Sequence, residues 1–328
     1  MRIFSGIQPT GKKHLGNYIG AIRQYVSGQD EGDPAIYCIV DLHAITVPWD
    51  PTVLRTNVHD TAAILAAAGL DPERCILFRQ SDVREHTELT WLLCALTAHG
   101  DLNRMTQFKE KSEKQRELVS AGLFLYPVLQ AADVLAYKAD TVPVGEDQRQ
   151  HVELMREIAR RFNERFGQHL VEPQHRIPEV GARIMDLQHP ENKMATTGGS
   201  QQGTVFVLDE PDDVRRKIRS AVTDSGSEVR RGEGKEGIAN LIEILSVARE
   251  TPMDEIESEF SGSGYGDFKA AVADSVVDFL APVRERYEQL RPDEDALEEM
   301  LGAGAEKARW IAAETLTEVR SAMGIGPR

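Results

Sequence analysis

No apolar run in the chain is long enough to cross a bilayer; the longest, AAILAAAGL at residues 62–70, falls far short of the roughly 20 residues a span requires. The chain opens on MRIFSGI, which reads as a strand and not as a basic-then-apolar leader, so a cytoplasmic protein without membrane attachment is expected. Cysteine is scarce. Cys38, Cys75 and Cys94 are odd in number, far apart and set in apolar segments, with no C-x-x-C pair. That argues against a disulfide framework or a metal site and for buried thiols. Positive charge is short too, with 38 Lys and Arg against 53 Asp and Glu and a net charge of −15. A uniformly basic nucleic-acid surface is thereby excluded, whereas a local basic patch on an acidic body is not.

What is there is the composition of a globular protein, 41% apolar and 28% charged. A chain of 328 residues holds one large domain and a smaller one, since single cores stop growing near about 250 to 300 residues. Short β-branched runs alternate with amphipathic segments through the first half: RIFSGI (2–7), AIYCIVDLHA (35–44), RCILFRQ (74–80) and TVPVG (141–145). This order predicts an α/β fold with a Rossmann-like, doubly wound parallel sheet. Val152, Met155, Ala159, Phe162 and Phe166 recur at three and four residues and predict a helix with one face on the sheet. After about residue 190 helices take over. PDDVRRKIRSAVTD offers Asp212 or Asp213 as caps, and Ile238, Leu241, Ile242, Leu245, Phe268, Val272, Phe279 and Val283 follow at helical intervals. The expected division is a catalytic α/β domain at 1–192 and a helical domain at 193–328, with the last helix returning to the first domain. KMATTGGSQQGT between them reads as a mobile loop or hinge.

The stretch SGIQPTGKKHLGNYIGA (5–21) admits two readings. Gly6 to Lys12 spells the G-x-x-x-x-G-K of a P-loop, with Asp41 as a magnesium partner, which would make the chain a nucleotide kinase. A P-loop needs Ser or Thr next, however, and the residue is Lys13. The alternative is a strand, a tight turn at Pro9 and Gly11, and a helix whose first N–H groups face a phosphate, Gly16 clearing the nucleotide's path. His14 on its own also reads as a cap. GEDQRQH (145–151) follows TVPV, where the carboxyl end of a parallel strand meets a ligand. Gly145 permits close approach there, and Glu146 or Asp147 accepts from ribose hydroxyls, or Asp147 merely caps a helix. Lys193 in ENKMAT opens the loop, where a cation can swing onto phosphates.

With HLGN, GEDQ and KMAT in this order, the chain resembles the class I aminoacyl-tRNA synthetases and, within them, the bacterial tryptophan-specific group. FSGIQPTG, CIVDLHAIT, RMTQFKEKS, SAGLFLYPVLQAADVL, VPVGEDQRQH, IRSAVTDS and GAGAEKA carry the resemblance over nearly the whole length. It implies activation of L-tryptophan with ATP and Mg²⁺ and transfer to tRNA(Trp). It implies ATP binding by Gln8, Pro9, Thr10, Gly16 and Asn17, by Gly145, Glu146, Asp147 and Ile184, and by Lys193, Met194, Ala195, Thr196 and Thr197. Asp133 would receive the indole N–H, with Phe4, Tyr126, Gln130 and Gln148 around the amino acid. A buried carboxylate without a partner is costly, so such a pocket rejects a ring lacking a donor; the plainer reading of Asp133 is a structural hydrogen bond between helices. Neither chemical step needs a protein nucleophile, which leaves Lys193, Lys111 and His14, with Lys109 behind them, as catalytic charges. The resemblance further implies a homodimer with tRNA lying across both subunits. Arg215, Arg216, Lys217 and Arg219 form either part of a tRNA surface or a solvated helix face.

Two departures stand out. The family's loop reads K-M-S-K-S, whereas this chain has Lys193-Met194-Ala195-Thr196-Thr197 and lacks the second lysine. Lys12 or Lys13, with the amides of Gly198-Gly199, is expected to offset that charge. Gln130 stands where bacterial relatives usually carry Met, which suggests an auxiliary, inhibitor-tolerant form. The rivals are a regulatory protein that binds tryptophan or ATP with weak catalysis, and a tyrosine-specific enzyme.

Overall fold

The structure is a computed structural model and describes residues 1–30, 34–106, 119–176, 183–195 and 199–326. Three parallel strands, β1 (Phe4–Ile7), β2 (Ala35–Ile39) and β3 (Cys75–Arg79), pair in the order β1-β2-β3. β4 (Thr141–Pro143) and β5 (Gln174–Arg176) form a parallel pair, and a bridge from Ile3 to Thr141 sets β4 beside β1. The spatial order is therefore β3-β2-β1-β4-β5, with the reversal of direction between β1 and β4. The first four strands lie where the β-branched runs place them. β5 escaped the sequence reading because its three residues, QHR, are polar.

Residues along β2 and β3 alternate between two cores, as a period of two requires. Tyr37 and Leu77 face one side, with Leu15, Ile64, Leu241 and Phe268; Ile36 and Phe78 face the other, with Leu93, Val134 and Ile158. The first side is covered by helical residues 15–28, in which α1 (Leu15–Asn17) and α2 (Arg23–Gly28) flank a π-helical turn (Tyr18–Ile22), and by α3 (Pro51–Ala67). The second is covered by α4 (Glu85–Cys94), α5 (Ala121–Leu135) and α6 (Arg149–Phe166).

Beyond residue 210 come α7 (Pro211–Arg219), α8 (Glu236–Arg249), α9 (Tyr265–Leu290) and α10 (Glu294–Met323). α7 starts two or three positions earlier than its acidic residues suggest: Glu210 is the N-cap residue and Pro211 opens the helix, so Asp212 and Asp213 lie in the first turn, where they face the positive end of the dipole instead of capping it. α8 and α9 pack into the first core. α10 serves both. Its Leu297 and Leu301 belong to the first core and its Ala305, Ala308 and Ala312 to the second, so the helix crosses from one face of the sheet to the other at its β3 edge. At the crossing point is Gly304, where a Cβ would lie 1.8 Å from the Leu77 carbonyl oxygen; only glycine lets helix and strand backbones meet so closely.

Candidate active site

In an open parallel sheet, the place where strand order reverses leaves a crevice at the carboxyl ends. Here it is a cavity of about 380 Å³ between β1 and β4, closed by residues 15–28, α5 and the start of α6. Phe4, Gln8, Asn17, Tyr126, Gln130, Asp133, Gly145 and Gln148 all line it, so residues read from three separate motifs meet in one cavity.

At its deep end Asp133 is 1% exposed. It accepts from Gln80 Nε2 at 2.7 Å and His86 Nδ1 at 2.6 Å on Oδ1, and from His43 Nε2 at 2.8 Å on Oδ2. His86 is oriented in turn by the Tyr137 hydroxyl, 2.6 Å from its other nitrogen. Burial alone would push the Asp133 carboxyl up; the hydrogen bonds and positive charge of the two histidines outweigh it and hold it at about 2. The expectation of an unpartnered carboxylate is thus corrected, because the protein supplies donors for three of its four lone-pair positions and leaves one on Oδ2. Phe4 stacks on Tyr137 at 5.4 Å, and the Tyr126 hydroxyl bonds His151 Nε2 at 2.9 Å. His43, Gln80, His86 and His151 were not singled out from sequence; His43, Gln80 and His151 stood in quoted segments, CIVDLHAIT, RCILFRQ and GEDQRQH, but nothing in their spacing marks the four as a set.

At the mouth, His14 caps α1 reciprocally: its Nδ1 accepts from the Asn17 N–H at 3.3 Å, and Asn17 Oδ1 accepts from the His14 N–H at 3.1 Å. Burial, then the charges of Lys193 and Lys13, push the imidazole down to about 4. His14 is therefore uncharged at neutral pH and is not one of the catalytic cations; with Nδ1 accepting, Nε2 carries the hydrogen. A Cβ on Gly16 would lie 3.0 Å from the His14 ring, so this glycine makes room for the imidazole as well as for a ligand. The turn before it bends at Gly11, whose φ of +59° suits glycine. Pro9 is buried and Thr10 exposed, and neither lines the cavity.

Lys193 Nζ lies 3.5 Å from Asp147 Oδ1 and about 4.0 Å from where a Gly145 Cβ would be. The loop base is fixed by the Met194 N–H bond to the buried Ile184 carbonyl at 2.9 Å, and the Ala195 carbonyl packs against Gly199. Glu146, exposed, has both oxygens on Arg149, at 2.6 and 2.8 Å. Lys109, Lys111, Thr196, Thr197 and Gly198 lie outside the described residues.

Lys13 is 5% exposed with Nζ on the Gln8 carbonyl at 2.6 Å, burial lowering it to about 8, and Lys12 Nζ lies 5.9 Å from the Phe206 ring centroid. Asp41, the magnesium partner of the P-loop reading, is engaged by the Ser81 N–H at 2.9 Å. Of the α7 basic cluster, Lys217 is buried, with Nζ on Asp209 at 2.6 Å, while Arg215, Arg216 and Arg219 line a surface groove.

A family profile described as tRNA synthetases class I (W and Y) matches residues 1–281. The chain is 51% identical to a tryptophan–tRNA ligase 2 of Streptomyces avermitilis, covering 99% of this chain and 97% of the relative. It is 49% identical to a tryptophan–tRNA ligase of Caldanaerobacter subterraneus, over 99% and 98%. Among solved structures, tryptophanyl-tRNA synthetase from Mycoplasma pneumoniae superposes with a TM-score of 0.92 at 35% identity, over 99% of this chain and 98% of the other. The Campylobacter jejuni enzyme complexed with ADP and tryptophan does so with a TM-score of 0.83 at 34% identity, over 99% and 100%.

Proposed function

The chain belongs to the class I tRNA synthetases of the tryptophan and tyrosine group, and on that premise we propose that it is a tryptophan–tRNA ligase. The observation that carries the amino-acid choice is the single acceptor position left on Asp133 at the end of the cavity. One N–H donor fills it. The indole of tryptophan provides that donor, and phenylalanine provides none.

In the first step a carboxylate oxygen of tryptophan attacks the α-phosphorus of ATP, the bond to the bridging oxygen breaks, and pyrophosphate leaves. In the second, a ribose hydroxyl at the 3′ end of tRNA(Trp) attacks the aminoacyl carbon and AMP departs. Positioning and charge supply the rate. His14 donates a neutral Nε2–H to phosphate oxygen, and Lys193, poised beside Gly145, brings positive charge to the group that leaves. Gly16, Asn17 and Gln8 hold the nucleotide at the helix start. Mg²⁺ would arrive on the nucleotide's phosphates and neutralise charge there. The helices from residue 211 onward, with Arg215, Arg216 and Arg219 outward, serve the tRNA, and the working form is a cytoplasmic homodimer.

Tryptophan-dependent exchange of pyrophosphate into ATP tests the reading. Exchange with tryptophan and none with phenylalanine is expected. Exchange that prefers tyrosine, or binding without exchange, overturns it in favour of the tyrosine-specific or the regulatory alternative.

A further inference from the structure

Four side chains form one hydrogen-bonded line from the interior of the cavity to its mouth. Gln130, on α5, donates from Nε2 to Gln148 Oε1 at 3.3 Å; Gln148 donates from Nε2 to Asp147 Oδ2 at 2.8 Å; and Asp147 Oδ1 stands 3.5 Å from Lys193 Nζ. An amide has an accepting end and a donating end. Once Gln130 gives its N–H to the Gln148 oxygen, the Gln148 nitrogen is turned toward Asp147. The reverse orientation would set an amide oxygen against a carboxylate.

The geometry points to Gln130 and Gln148 as positioning residues that couple occupancy of the amino-acid end to the release of Lys193 toward the nucleotide. The inference rests on the functional reading above. Gln148 lines the same cavity as Asp133, so an amino acid whose ring reaches Asp133 would bring its ammonium into the space that Gln148 faces; a donor arriving at Gln148 Oε1 would strengthen donation from the other end of the amide. Asp147 is then better satisfied by Gln148 and holds Lys193 less. Without the Gln130 donor, Gln148 is free to turn and Asp147 keeps its lysine.

The test is titration of an α,β-methylene ATP analogue, which cannot be cleaved at the α-phosphorus, with and without saturating tryptophan. In the unmodified protein tryptophan is expected to tighten the analogue at least about fivefold, the lower end of ordinary site-to-site coupling. Gln130→Met, and Gln130→Glu as a same-sized variant that also lacks the donor, are expected to bring that factor close to one while tryptophan still binds. In an Asp147→Asn background Gln130→Met is expected to change nothing further. A residue that only shapes the pocket would alter tryptophan affinity and leave the factor intact; that result, a factor of one in the unmodified protein, or an undiminished effect in the Asp147→Asn background overturns the inference. If the unmodified protein binds neither ligand, the functional reading falls, and this inference with it.

Discussion

A histidine that caps a helix and faces a phosphate site has two duties, and substitution separates them. Asparagine is among the best N-cap residues but carries no equivalent of the imidazole Nε2–H. His14→Asn is expected to keep stability within about 1 kcal/mol at pH 7.5 and to slow tryptophan activation about a hundredfold, as removal of one preorganised donor does elsewhere. Urea titration and pyrophosphate exchange measure the two effects. The pH dependence follows from burial and the neighbouring lysine charges, which take the imidazole from 6.5 in the open chain to about 4 in the folded one. Between these values the unfolded chain binds the extra proton, so stability is full above 6.5 and falls toward 4, by on the order of 3 kcal/mol. His14→Asn should remove that acid slope; an unchanged slope would refute the assignment. Asp133→Asn leaves too few acceptors for three buried donors, and its KM for tryptophan is expected to rise about ten- to a hundredfold with little change for ATP. At this scale the sequence marked Asp133, His14 and Lys193, since each stands in a quoted motif. It did not reveal that His43, His86 and Gln80 surround Asp133, because they come from three different elements that only the folded sheet brings together.

Elements were legible where burial has a period. The short apolar, β-branched runs of β1 to β4 and the three-and-four spacing in α6, α8 and α9 announced those elements, while β5 and the start of α7 depend on tertiary pairing and on Pro211, which neither signal registers. The contact between α10 and β3 belongs to the same class, being written in a single glycine. Gly304→Ala inserts a methyl group against the Leu77 backbone, which cannot turn aside as a side chain would. A loss of about 3 kcal/mol is expected, read as a lowered melting temperature in calorimetry; Gly302→Ala, with nothing within 4 Å of its added Cβ, is the control and should not destabilise. Equal losses in the two variants would mean that helix propensity, not the crossing, sets the cost.

For the whole molecule, the expected boundary at residue 192 follows composition, but the cores do not stop there. Leu15, Tyr37 and Leu77 share one cluster with Val214, Leu241, Phe268 and Leu301. A fragment of residues 1–192 is accordingly expected to show no cooperative thermal transition, and the full chain a single one by both circular dichroism and tryptophan fluorescence. Two separated transitions would mean that the two halves fold independently. The crossing of α10 over β3 also has a consequence during synthesis. An outer strand with unpaired backbone groups invites pairing with any neighbouring chain, and here the cover for that strand leaves the ribosome after all the other described strands and helices. Until those thirty residues emerge, each growing polypeptide carries an unprotected template for its neighbours on the same message, so chaperone dependence should be concentrated in the interval before α10 is made.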